Sequence, residues 1–161
     1  TPEEIESWMQ AREPTVVAVS RLQNKGIAAL DSGDMATAES TLEKSEQLLD
    51  ESLSKAPDDV MLVNLKGYHH KDLAAKFREK GMEAQAQKHL EDSERTFRKV
   101  ISNKHDNPSA LNGLGRVMVL RDDLDQAEKF MHQALKAEPN FRPAKDEIKK
   151  IEKNRRSRPG R

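Results

Sequence analysis

The stretch GDMATAESTLEKSEQLL at residues 33–49 returns, at an offset of 48, as GMEAQAQKHLEDSERTF at residues 81–97. The copies agree at Gly33/Gly81, Ala36/Ala84, Ala38/Ala86, Leu42/Leu90, Glu43/Glu91, Ser45/Ser93 and Glu46/Glu94. Ordinary residue frequencies supply roughly one match in a window of this length. A chain that carries one segment twice at a fixed offset is built from a repeated structural unit. Within each copy the small and apolar residues (38, 42 and 45; 86, 90 and 93) are spaced by four and three, which places them on one face of a helix.

The rest of the chain is compatible with helices throughout. Charged residues make up 35% and aromatics 4%, and the strong helix formers Ala, Leu, Glu, Lys, Gln and Arg dominate. No segment alternates with period two over the length of a strand, so the fold class is all-α. The 161 residues carry no net charge, but the charge is unevenly spread. Residues 1–59 hold 13 acids and 5 bases (5 − 13 = −8), and residues 60–161 hold 15 acids and 23 bases (23 − 15 = +8). Such a split favours head-to-tail contacts or a polarised partner, or else reflects a pair of solvated surfaces. There is no cysteine, which excludes disulfides, thiol nucleophiles and thiolate metal sites. No apolar run approaches the ~20 residues of a membrane span, and nothing in the sequence assigns a compartment.

Gly33 and Gly81 each stand between two apolar-periodic stretches, as the turn of a helical hairpin does. A third segment, RDDLDQAEKFMHQALKAEPN, fits the same ruler with Asp122 in the turn and Ala127, Met131 and Ala134 at the spacing of Ala38, Leu42 and Ser45. The helices before the three turns also correspond: Leu22, Lys25, Gly26, Ala29; His70, Leu73, Ala74, Phe77; Leu111, Leu114, Gly115, Met118. This pattern resembles the tetratricopeptide repeat, a ~34-residue helix–turn–helix unit with the markers W-x2-LG-x2-Y and A-x3-F-x2-A that closes near a proline. The match is clearest from Pro108 to Phe141, and His70 takes the usual Trp position in the second copy. The resemblance implies a right-handed α-solenoid of three such repeats, capped by a helix at each end.

The offset of 48, where the family uses ~34, locates extra residues. From turn to closing proline the third copy spans 122–139, or 17 residues; the first spans 33–57 and the second 81–105, or 24 each, with His105 in the proline's place. The helix between Pro57 and Gly81 is lengthened likewise. Seven residues are two helical turns, about 10 Å, so three neighbouring helices are expected to lengthen together. Their added turns carry Leu48, Leu49 and Leu53; Val60, Met61, Val63 and Leu65; and Phe97, Val100 and Ile101. At the start, Thr1 and Glu4 form a capping box with Pro2 at the first helical position, and Ile5, Trp8 and Met9 line an apolar edge. Pro14 is expected to start or kink the next helix. The expected organisation is a repeat domain over 1–154: N-terminal helix 1–13, repeats 14–57, 58–107 and 108–140, and capping helix 141–154. In that cap Phe141, Ala144, Ile148 and Ile151 share one side. Residues 155–161 read as a basic flexible tail.

Catalytic chemistry has no foothold. His69 and His70 adjoin, and helical neighbours point about 100° apart, so both read as structural. The Glu43/Glu46 and Glu91/Glu94 pairs read as exposed helix faces beside Lys44 and Arg95. The glycines of NGLGR lack a preceding strand for phosphate binding, and the methionines read as core filler. No catalytic, metal or cofactor site is assigned. The resemblance instead implies a non-catalytic scaffold or adaptor, with a concave groove that binds a peptide or partner protein. Its groove positions fall here on Gln23, Ile27, Tyr68, Lys71, Arg78, Asn112 and Arg116. Lys71, Arg78 and Arg116 suit an acidic peptide or a free C-terminal carboxylate. The residues with which co-chaperones of this family clamp an acidic C-terminal tail would fall at Gln23, Ile27, Asp72, Ser109 and Gly113, and all five differ from that pattern, so the clamp is rejected. Two alternatives remain: a self-assembling module, and nucleic-acid or anionic-surface binding through the basic tail. The second is weakened by the absence of aromatics for stacking bases.

Overall fold

In a computed structural model of the chain, residues 1–158 are described, apart from the side chains of residue 2 and residues 4–13. The backbone is all-helical, with no strand among the described residues. It forms α1 (Pro2–Ser32), α2 (Met35–Lys55), α3 (Val60–Glu79), α4 (Glu83–Asn103), α5 (Pro108–Leu120), α6 (Leu124–Ala137) and α7 (Arg142–Ser157). These make two compact units, Thr1–Lys66 and Gly67–Arg161, whose boundary falls within the span of α3.

The turns are where sequence dictates backbone most directly. Among the described residues, the left-handed region is occupied at Gly33 (φ 80°), Gly81 (φ 73°) and Asp122 (φ 60°), the three turn positions expected from the repeat. Glycine takes this conformation without a Cβ clash, and Asp is among the few other residues that tolerate it. Beyond two of these turns an aspartate starts the next helix. Asp34 accepts a hydrogen bond from Thr37 N, and Asp123 accepts one from Gln126 N. Each such cap satisfies an amide that the helix leaves unpaired.

The first unit pairs α1 with α2. Val19, Ala29, Leu30, Ala38, Leu42 and Leu49 are buried, and Ser45 donates from Oγ to the Val19 carbonyl at 3.4 Å. In the second unit Ser93 donates to the Gly67 carbonyl at 2.8 Å. Both bonds link residues 26 apart, so the repeated serine makes the same contact in each copy. Helix α1 is continuous through Pro14. A separate helix start at Pro14 is therefore absent; the proline sits inside the helix, which forgoes one main-chain hydrogen bond. The capping box and the apolar edge of Ile5, Trp8 and Met9 lie outside the described side chains.

Helices α2, α3 and α4 run to 21, 20 and 21 residues, against 13 and 14 for α5 and α6. The expected two-turn extension is therefore present in all three. Most of the apolar residues in those turns are at least partly buried, but Met61 is exposed and its neighbour Leu62 takes the inward place. Asp59 fixes that phase by capping the amides of Met61 and Leu62 at 3.1 and 3.2 Å.

The second unit is organised around Phe97, in the added part of α4. Its ring is fully buried against two glycines, Gly67 on α3 and Gly113 on α5. A Cβ at Gly113 would stand 2.3 Å from Phe97 Cζ, and one at Gly67 would stand 2.7 Å from the same atom. Tyr68 meets the ring edge-on, with centroids 4.9 Å apart. Burying such a ring contributes about 1.5–3 kcal/mol. A second cluster, Leu111, Met131, Ala134 and Ala144, joins α5, α6 and α7, with Ile101, Phe141 and Ile148 packed against it. Ile151 is buried too, so the apolar side expected of the terminal helix faces inward.

Gly113→Ala places a methyl where an immobile ring already sits, and overpacking of this kind costs about 1–3 kcal/mol. Urea denaturation should show that loss in Gly113→Ala, and Gly113→Ala/Phe97→Leu should recover part of it. Equal midpoints for wild type and Gly113→Ala would show that the slot does not exist.

Candidate binding surface on the second unit

The sequence-derived groove residues divide between the two units. Gln23 and Ile27 are half-buried on α1 in the first unit. Tyr68, Lys71 and Arg78 on α3, with Asn112 and Arg116 on α5, belong to the second, where the structure brings them onto facing helices.

Tyr68 and Asn112 are tied to each other. The Tyr68 hydroxyl donates to the Ser109 carbonyl at 2.6 Å and accepts from Asn112 Nδ2 at 3.0 Å. Burial pushes the Tyr68 phenol above its ordinary value, and the two hydrogen bonds pull in the opposite direction. Both side chains therefore lock α3 to α5, and Asn112, expected to face a groove, is buried. Asn112 Oδ1 and Arg116 Nε are buried without a hydrogen-bond partner in the protein, one helical turn apart on α5. Buried polar atoms are nearly always satisfied, by water or a ligand where protein fails to do so.

Arg78 has a structural job. Its guanidinium grips Glu83 at the start of α4 with two nitrogens, at 3.2 and 2.7 Å, and donates to the Leu120 carbonyl near the end of α5. The Glu83 pairing raises the Arg78 pKa and lowers that of Glu83. A fork held at two sites has little left to offer a ligand.

Lys71 and Arg116 meet around an open hollow of about 300 Å³, lined by Lys71 and Ala75 of α3, Arg116, Val119 and Leu120 of α5, and Glu147 and Lys150 of α7. Glu147 is buried, and its Oε1 accepts from Arg116 at 3.2 Å and from Lys150 at 2.9 Å. Lys71 is paired with its neighbour Asp72. Three cations thus face the hollow with a single carboxylate lining it. Ala75, Val119 and Leu120 add apolar surface beside these charges. Glu147 and Lys150 were invisible in the repeat pattern because they come from the terminal helix. The signal that could have found them is the i,i+3 acid–base spacing on the charged side of α7.

A larger hollow of about 590 Å³, lined by Asp122, Asp123, Leu124, Asp125, Arg155 and Arg158, holds charges that neutralise one another. Arg155 pairs with Asp125 at 2.5 Å and Glu128 at 3.2 Å, and Arg158 pairs with Asp122 at 3.3 Å. These contacts also correct the expected tail. Residues 155–157 continue α7, and Arg158 is tied to the α5–α6 turn; residues 159–161 lie outside the described part.

Among the described residues, no helix is long and apolar enough to cross a membrane. Comparison with protein-family models, curated proteins and solved structures gives no match to this chain.

Tyr68→Phe removes the hydroxyl and leaves the Ser109 carbonyl and Asn112 amide unpaired, a loss of about 1–3 kcal/mol. Thermal or urea unfolding should report it; wild-type stability in Tyr68→Phe would mean that the α3–α5 lock does not form.

Proposed function

We propose that the chain is a tetratricopeptide-like protein of three helical hairpins, acting as a non-catalytic scaffold or adaptor that binds an acidic peptide segment. The binding centre is the cationic hollow of the second unit. The observation that carries this reading is the convergence of Lys71, Arg116 and Lys150 from three helices on one concave, apolar-floored hollow with a single lining carboxylate. Arg116, which lines the hollow and has an Nε without a partner in the protein, suits a ligand that brings a carboxylate. Glu147 acts as a placeholder: it holds Arg116 and Lys150 in position, and an incoming carboxylate shares them. An extended peptide ending in a free carboxylate meets these requirements, with small apolar side chains against Ala75 and Val119. The same reading places Gln23 and Ile27 on the corresponding helix of the first repeat, and leaves Arg78 as a structural clasp.

The test is fluorescence anisotropy with a set of labelled acidic peptides bearing free or amidated C-termini. Lys71→Ala/Arg116→Ala should weaken binding about tenfold or more, since each charge-assisted hydrogen bond is worth ~1.5–3 kcal/mol. Raising salt should weaken it further, while alanine at the exposed Lys149, outside the hollow, should leave it unchanged. Equal affinity for the double variant and wild type would overturn the assignment.

A further inference from the structure

One residue before Lys71, α3 carries His70, which is buried with its Nδ1 3.0 Å from Nδ1 of His89 on α4. Asp92, three residues beyond His89, completes a group whose ligand atoms all lie within 4.8 Å of one another. The rings are held from several sides. His89 stacks on Phe77 with centroids 5.3 Å apart and planes 5° from parallel, and on His70 at 5.2 Å; His69 lies edge-on to His70. A neutral imidazole carries one N–H. Two facing Nδ1 atoms are therefore either a donor and an acceptor, or two lone pairs converging on one point.

We propose that His70, His89 and Asp92 form a binding site for a divalent transition-metal cation of the Zn²⁺ class, joining α3 to α4 within the second unit. Two nitrogens at ~2.0–2.1 Å from a tetrahedral Zn²⁺ stand about 3.4 Å apart, so the observed pair needs to open by only a few tenths of an ångström. Binding requires both rings in the Nε2–H form, a change of tautomer without net loss of a proton. Burial holds the His89 pKa below its ordinary value, opposed by the Asp92 carboxylate and reinforced by Lys88. Asp92 Oδ1 is paired with Arg95 at 3.1 Å, and the largely exposed Arg95 leaves the second oxygen for the metal. Two imidazoles and a carboxylate select Zn²⁺, Co²⁺, Ni²⁺ or Cu²⁺ over the oxygen-seeking Mg²⁺ and Ca²⁺. Three protein ligands leave a fourth position for water.

The test uses the full chain, free of any tag and stripped with chelator, titrated with Zn²⁺ by calorimetry and thermal unfolding, and with Co²⁺ by visible absorption. The expected result is one equivalent bound, a higher melting temperature, and a Co²⁺ spectrum of a nitrogen–oxygen tetrahedral site; Mg²⁺ should do nothing. His89→Ala should abolish these effects. Asp92→Asn, a partly exposed isosteric change that keeps the fold testable, should weaken Zn²⁺ roughly tenfold or more, as loss of even an outer-shell partner often does. His105→Ala and His132→Ala, at exposed positions, should bind as wild type. No Zn²⁺-dependent shift, or a shift that survives both His89→Ala and Asp92→Asn, would reduce the pair to a hydrogen bond and overturn the site.

Discussion

The second unit depends on the close approach of three helices around one ring. Phe97 fits between Gly67 and Gly113 because neither has a Cβ, and any larger residue there would occupy the ring's own volume. That approach sets the spacing of α3 and α5. The spacing in turn lets Tyr68 reach the Ser109 carbonyl and brings Lys71 and Arg116 to the same hollow. A binding surface assembled from separate helices is only as precise as the packing beneath it. Here that packing is a buried aromatic ring seated against two glycines.

Much of this order was legible in the sequence. The three turn residues, the small buried residues Ala38, Ala86 and Ala127, and the two-turn lengthening of α2, α3 and α4 follow from spacing alone. They are legible because each rests on local physics: a left-handed turn, a helix face, a count of residues between breakers. The Ser45 and Ser93 bonds show how close the correspondence is, since each reaches a carbonyl 26 residues earlier.

What escaped the sequence depends on partners from distant helices. Arg78 was expected to face a ligand, yet Glu83 and the Leu120 carbonyl claim it, because the hairpin turn brings the start of α4 back beside the end of α3. Arg155 and Arg158 were expected in a mobile tail, yet acids in and after the α5–α6 turn fold them down. Glu147 and Lys150 complete the hollow from α7, where the repeat pattern has nothing to say. His70, read as structural, is buried as expected, and the packing of α4 sets His89 and Asp92 close to it, a proximity the sequence does not show. Ion pairs are properties of tertiary proximity, and residue type alone ranks them poorly.

The central claim is that α3, α5 and α7 together present the surface on which a partner docks. Chemical-shift mapping of the ¹⁵N-labelled chain with a saturating acidic peptide tests it most directly. The account predicts the largest shifts at Lys71, Ala75, Arg116, Val119 and Lys150, with the Asn112 side-chain amide moving alongside them. Shifts centred instead on Asp122–Asp125 and Arg155, or confined to the first unit, would contradict it.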